Sequence, residues 1–146
     1  MISLVNIINC EEHFLETYRL LKLRNFSISH KKIPSFEDHK EFVLNHPYRY
    51  WLLVQSKKEC IGTVYIKDDN SIGLNIISDY RKFTKEVLTK VVSSFDPLPP
   101  LKSLKSNRFI VNVALEDNYL ADAIKEFGGL EIQRTFLIPK ENLQQD

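Results

Sequence analysis

The sequence predicts an α/β (α+β) fold, a mixed sheet with helices on both faces, and three observations carry that prediction. Six segments have the β-branched or alternating apolar composition of strands, and four carry apolar residues at helical spacing. They follow one another in the order β-α-α-β-β-β-α-β-α-β. Three of the strands are joined by short polar turns, which favour antiparallel hairpins. A later strand–helix–strand unit demands a parallel pair in the same sheet.

Residues 2–8, ISLVNII, are β-branched and apolar and read as the first strand. From Cys10 the period changes, and Phe14, Tyr18 and Leu21 mark a helix of about three turns that ends near Leu23. Residues 24–34 show neither period and read as a loop. Ser35 with Asp38 resembles a capping box, and Phe36, His39, Phe42 and Val43 form the apolar face of the helix that follows. Pro47 disfavours helical geometry at His46, so that helix stops near Asn45.

Tyr50 to Gln55, Cys60 to Lys67 and Ser71 to Ser78 read as a meander joined at Ser56–Glu59 and Asp68–Asn70. Phe83, Val87, Leu88, Val91, Val92 and Phe95 then share one stripe, so residues 83–95 form a helix packed on the sheet. The segment DPLPPLKSLKSN ends it as a stiff loop. Arg108 to Leu115 alternates as a strand. Asp117 or Asn118 caps the next helix, which turns Leu120, Ala123, Ile124 and Phe127 inward, and Gly128-Gly129 closes it. Leu130 to Ile138 reads as the last strand. Residues 1–139 are expected to form one domain and residues 140–146 a polar tail.

Composition narrows the functional classes. The chain has 146 residues, 43% hydrophobic and 27% charged, with a net charge of +1, which is ordinary for a soluble globular domain and argues against disorder. No apolar run approaches the roughly 20 residues that cross a bilayer, and MISLVNIINCEEHF has no basic leader, so a cytoplasmic protein with no membrane partner is expected. Cys10 and Cys60 are too few for a disulfide framework, and the four His have no metal-ligand spacing, so no metal is expected. Residues 79–108 hold seven Lys or Arg against three acids, whereas residues 109–146 hold three against seven. The first stretch can attract phosphates or form a solvated face, but it is too sparse for a nucleic-acid binder.

The element order and four local phrases resemble the GCN5-related N-acetyltransferase superfamily. The phrases are Leu23-Arg24-Asn25, the stretch SFEDHKEF from Ser35, the meander from Tyr50 to Ile76 with Gly62 and Gly73, and NYLADAIKEFGG from Asn118. The likeness is greatest to the branch that acetylates nucleotide-linked amino sugars or protein amino termini. It implies a six- to seven-stranded sheet and acetyl-CoA as co-substrate for acetylating a primary amine of a small molecule. Two departures stand beside it. The family's glycine-bearing pyrophosphate loop is replaced by Asp79-Tyr80-Arg81-Lys82-Phe83-Thr84-Lys85, without glycine, and the family's acid Tyr falls at Lys125. Either Arg81, Lys82 and Lys85 replace the backbone cradle with side-chain charge, or the domain binds a metabolite or protein partner without catalysis.

The resemblance places the thioester-carbonyl donor, a backbone N–H, at Ile77. It places the cofactor along Ile76, Ile77, Ser78, Arg81, Lys82, Phe83, Thr84, Lys85 and Asn118. Tyr119 is the candidate acid for the departing thiolate, or a tyrosine packed on the sheet. Asn118 organises the site, caps the helix, or does both. Arg24, Asn25 and His39 are candidate acceptor-side residues. His39 suits a base by its near-neutral pKa, but it also fits a satisfied buried histidine. Trp51 and Tyr65 can stack on a sugar or fill the core. A third option, docking of an acidic acyl carrier, would use Lys102 and Lys105. The oligomeric state stays open, a homodimer among the options.

Overall fold

A computed structural model of the chain describes residues 1–24, 32–99 and 107–139. The strands are β1 (Ile2–Asn6), β2 (Tyr50–Ser56), β3 (Glu59–Ile66), β4 (Ser71–Ile76) and β5 (Ile110–Val111). The helices are α1 (Glu11–Lys22), α2 (Phe36–Asn45), α3 (Thr84–Ser94) and α4 (Asn118–Phe127), and a 3₁₀ turn (Ser78–Phe83) leads into α3. The sheet runs in the order β1-β2-β3-β4-β5. Its first four strands pair antiparallel, and β4 pairs parallel with β5. This is the mixed α/β architecture expected, with five strands among the described residues.

Neighbouring residues of one strand build two cores because successive side chains point to opposite faces. Leu52 and Val54 of β2 join Val64 and Ile66 of β3 and Ile72 of β4 beneath Val87 and Val91 of α3. Leu53, between them in sequence, packs with Leu20 of α1 and Cys60 on the other face. Each of these aliphatic side chains is almost fully removed from water, which contributes about 1.5–3 kcal/mol apiece.

Local signals act where the sequence placed them. Ser35 Oγ accepts the Asp38 N–H at 3.1 Å and starts α2. His46, before Pro47, is extended at φ −64° and ψ 150° and ends it. Gly128 closes α4 in the left-handed region at φ 113°, a conformation that costs glycine nothing. Of the two capping candidates for α4, Asp117 takes the role and accepts the Leu120 N–H at 3.2 Å, while Asn118 is the first helical residue.

Three boundaries depart from expectation. The meander's last strand stops at Ile76, and the residues after it wind into the 3₁₀ turn. The strand expected over Arg108–Leu115 pairs only at Ile110–Val111. Leu130–Ile138 has strand composition, yet it joins no ladder among the described residues. Alternation marks which residues suit a pleated surface; a ladder also needs an available edge.

Candidate functional site

The site begins where the sheet comes apart. The β4–β5 ladder comprises Ser71↔Ile110 and Ile72↔Val111 and goes no further. On its other edge β4 stays paired with β3 as far as Gly62↔Ile76, and the Ile77 N–H continues the pattern by donating to Ile61 O at 2.9 Å. Backbone groups of an antiparallel strand alternate between its two sides. Since Ile77 faces β3, so do Asn75 and Gly73. The N–H and C=O of Leu74 and Ile76 therefore face the side from which β5 has departed. This corrects the expected donor: the Ile77 N–H is committed to the sheet, and the N–H aimed into the opening belongs to Ile76.

A groove of about 390 Å³ lies between the start of α3 and the face of α4, the helices that follow β4 and β5 in the chain. Arg81, Lys82, Thr84 and Lys85 line one wall, and Tyr119, Asp122, Ala123 and Glu126 line the other. Five residues named from sequence thus meet in one groove: Arg81, Lys82, Thr84, Lys85 and Tyr119. The segment replacing a glycine loop adopts the geometry that bulky residues allow. Tyr80 N–H donates to Ile77 O at 2.9 Å and the Thr84 N–H to Arg81 O, so the chain coils without a left-handed residue. Thr84 Oγ1 also donates to Arg81 O, at 2.6 Å. Phe83 turns its ring to the core instead of lining the groove, and Ile76 and Ile77 pack on the same core, so only their backbone can serve a ligand. Ser78 is exposed where the turn starts.

The electrostatics of the groove are paired. Arg81 Nη2 lies 2.8 Å and 2.9 Å from the two carboxylate oxygens of Asp117, at 17% and 9% side-chain exposure. The Arg81 guanidinium also sits 4.9 Å from the centre of the Tyr119 ring, a cation–π contact. Lys85 forms an ion pair with Glu126 across the groove, more exposed than the first. Lys82 is exposed beside them. The acids of α4 were not singled out from sequence. Their signal was the opposite charge balance of residues 79–108 and 109–146, which the fold brings face to face.

The other named residues lie elsewhere. His39 is 4% exposed between α1 and α2, its Nε2 2.6 Å from Thr17 Oγ1. Burial lowers its pKa, it does not line the groove, and its contact with Thr17 fits a satisfied structural histidine. Asn118 is exposed at the start of α4, its N–H donated to Glu116 O at 3.0 Å. Arg24 follows α1, and its charge acts on the hydroxyls of Tyr48 and Tyr65. Desolvation, aided by Tyr65 and opposed by Arg24, pushes the Tyr48 pKa up to about 12. Tyr65 is raised by burial too, again against Arg24. The two rings stack at 4.1 Å and 5°. Gly73 makes room for this pair, because a Cβ there would lie 2.0 Å from the Tyr65 ring. Trp51 packs edge-on to Phe42, His46 and Tyr48 in the same aromatic cluster. Asn25, Lys102 and Lys105 lie outside the described residues.

Among the described residues no three His, Cys, Asp or Glu side chains converge on a metal site, and no helix is long and apolar enough to cross a membrane. No protein-family model and no curated protein sequence matches the chain. Solved structures do match. An integron cassette protein from the mobile metagenome of V. cholerae is 11% identical, with a TM-score of 0.64 over 99% of this chain and 96% of that one. The aminoglycoside acetyltransferase AAC(6')-Iy, in complex with a bisubstrate analogue of coenzyme A, is 11% identical, with a TM-score of 0.63 over 97% and 99%. The dodecameric spermidine N-acetyltransferase from Vibrio cholerae is 14% identical, with a TM-score of 0.60 over 90% of this chain and 81% of that one. At such identities the likeness shows the fold alone, a mixed α/β fold shared with these acetyltransferases.

Proposed function

We propose that the chain is an acetyl-CoA-dependent N-acyltransferase that acts on a primary amine of a small molecule, through direct attack on the thioester. One pair of observations carries this reading: the parallel β4–β5 ladder ends at Ile72–Val111, and a groove with basic residues on one wall lies between α3 and α4, the helices that follow those two strands in the chain. The residues present fit the co-substrate. The backbone of Leu74 and Ile76 offers a strand edge to an amide-bearing arm, and Lys82, Arg81 and Lys85 offer charge to phosphates. The co-substrate, when bound, supplies the activated acyl group.

The chain's own residues then have separable tasks. The Ile76 N–H is aimed to stabilise negative charge on the carbonyl oxygen, at no reorganisation cost because the strand holds it. The Tyr119 hydroxyl is the candidate donor of a proton to the sulfur that leaves, with Arg81 against its ring fixing the ring's position. Asn118 lies one residue before it, at the mouth of α4. Arg24 is the candidate acceptor-side residue among those described, and it suits a phosphate or carboxylate of the acceptor. A nucleotide-linked amino sugar would supply both the anion and a base or sugar for the Tyr48–Tyr65 stack. Some of the similar structures are named as aminoglycoside or spermidine acetyltransferases, so both amines belong in the acceptor panel.

Coenzyme A binding is the test. Calorimetric titration should show saturable heat, and a ligand at a hundredfold excess over its Kd should stabilise the fold by about 2.7 kcal/mol, readable as a higher Tm. Free-thiol release from acetyl-CoA with each acceptor then identifies the amine. No heat and no thermal shift at millimolar coenzyme A would sink the reading and leave a domain of this shape without the reaction.

A further inference from the structure

The basic wall of the groove starts in a segment whose own backbone holds it weakly. Ser78–Phe83 spans six residues as a 3₁₀ turn, beyond the roughly four that this tight geometry usually sustains. Every one of its residues is at least partly exposed. It nevertheless carries Arg81 and Lys82 to the groove. Its downstream end is joined to α4 by the Arg81–Asp117 pair. Its upstream end is bonded to β3, where the Tyr80 hydroxyl donates to Glu59 Oε1 at 2.7 Å across 21 positions of sequence. That length is the one expected for an O–H donor on a carboxylate. The bond favours the protonated phenol, so Tyr80 titrates above its ordinary 10. The Tyr80 ring lies 6.2 Å from that of Phe83, at 19°, and both pack against the core.

Register puts Glu59 within reach. Lys57 and Lys58, both left-handed, close β2 onto β3 between the paired Ser56 and Glu59, so Glu59 opens β3. Ile61 O accepts the Ile77 N–H, which sets the start of β3 beside the end of β4. Successive side chains alternate, and Cys60 joins one core while Ile61 joins the other. Glu59 therefore stands on the Ile61 side, where Tyr80 and Phe83 also pack. We propose that Glu59 is a positioning residue for the groove: through Tyr80 it fixes the turn that presents Arg81 and Lys82, and so sets the affinity for coenzyme A. A turn already in place spares a ligand the entropy of ordering it. In a segment without glycine, a side-chain tether does what a close-fitting backbone would otherwise do. The tether stands on geometry alone, whereas its effect on coenzyme A rests on the acyl-transfer reading.

Amide hydrogen exchange followed by NMR on the full chain reads the tether without a ligand. Tyr80→Phe keeps the ring and the charge of Glu59, and Glu59→Ala removes the acceptor from an exposed position, so both variants should melt cooperatively. Each should speed exchange at residues 79–84 and leave the β2–β3 ladder unchanged. Calorimetric titration should then show coenzyme A bound about fivefold more weakly by each variant, the scale of one net hydrogen bond, and no more weakly by the double variant. The sign separates positioning from charge, because removing an acid would by itself tighten the binding of an anion. Unchanged exchange in both variants, a coenzyme A affinity that Glu59→Ala leaves alone or tightens, or losses that add in the double variant overturn the proposal. Wild-type protein that binds no coenzyme A sinks acyl transfer and the affinity claim together, while faster exchange in the variants would still establish the tether.

Discussion

Asp117 governs how much positive charge the groove presents, and Asp117→Asn isolates that effect. Asn caps helices about as well as Asp, so the Leu120 N–H bond is retained and only the charge is removed. Removing one partner of a buried pair costs about 3–5 kcal/mol when the other charge stays buried. Here the pair is close, at 2.8 Å, but Arg81 lies at the groove rim at 17% exposure and keeps an amide oxygen to donate to. The expected loss is therefore about 2 kcal/mol, the scale of one charged hydrogen bond. For a chain of this size that lowers Tm by roughly 4–8 °C. The groove simultaneously gains one uncompensated positive charge. An added attraction of about 1 kcal/mol for a phosphate should tighten coenzyme A binding roughly fivefold. Scanning fluorimetry reads the first effect, and calorimetric titration at moderate salt reads the second. An unchanged Tm would refute the claim that the pair is buried and stabilising. Weaker binding would show that Asp117 orients Arg81 for the ligand instead of neutralising it.

Two further predictions concern the scaffold. Burial holds the His39 pKa below its ordinary 6.5, so on acidification the unfolded chain takes up a proton that the folded chain resists. Stability is thus complete above about pH 6.5 and falls below it. Tm should drop from about pH 7 to pH 5, and His39→Gln should flatten part of that drop, with His46 supplying the rest in the same direction; a Tm that rises on acidification contradicts this. The β2–β3 turn holds Lys57 at φ 50° and Lys58 at φ 72°, both left-handed, between the paired Ser56 and Glu59. This is the geometry that Asn-Gly prefers, so Lys57→Asn/Lys58→Gly should stabilise by about 1–2 kcal/mol in urea unfolding, and no gain would refute the turn assignment.

Residues named from the sequence meet in the groove where they are close in the chain, whereas their distant partners were not legible. Arg81, Lys82, Thr84 and Lys85 lie within five residues, so their arrival on one wall follows from the start of a single helix. Tyr119 arrives because α4 begins beside it. Asp117 and Glu126 are 36 and 41 positions from the bases they meet, and no local pattern links such pairs. His39 shows the converse, since its near-neutral pKa suggested chemistry while its place on an apolar helix face put it under α1, against Thr17. The donor at the opening was misplaced by one residue because strand alternation is fixed by the partner's register, here Ile61 against Ile77.

By itself the sequence determined the element order from β1 to α4, the two faces of the sheet, the Ser35 and Gly128 caps and the basic residues that precede and open α3, because periodicity and capping act within a few residues of the chain. Only the tertiary structure decided where β4 and β5 part, which backbone groups the gap exposes, and which acids hold Arg81 and Lys85. It also decided that Leu130–Ile138, a strand by composition, joins no ladder among the described residues. A hydrogen-bond ladder needs two edges at one place, and a single segment encodes only its own.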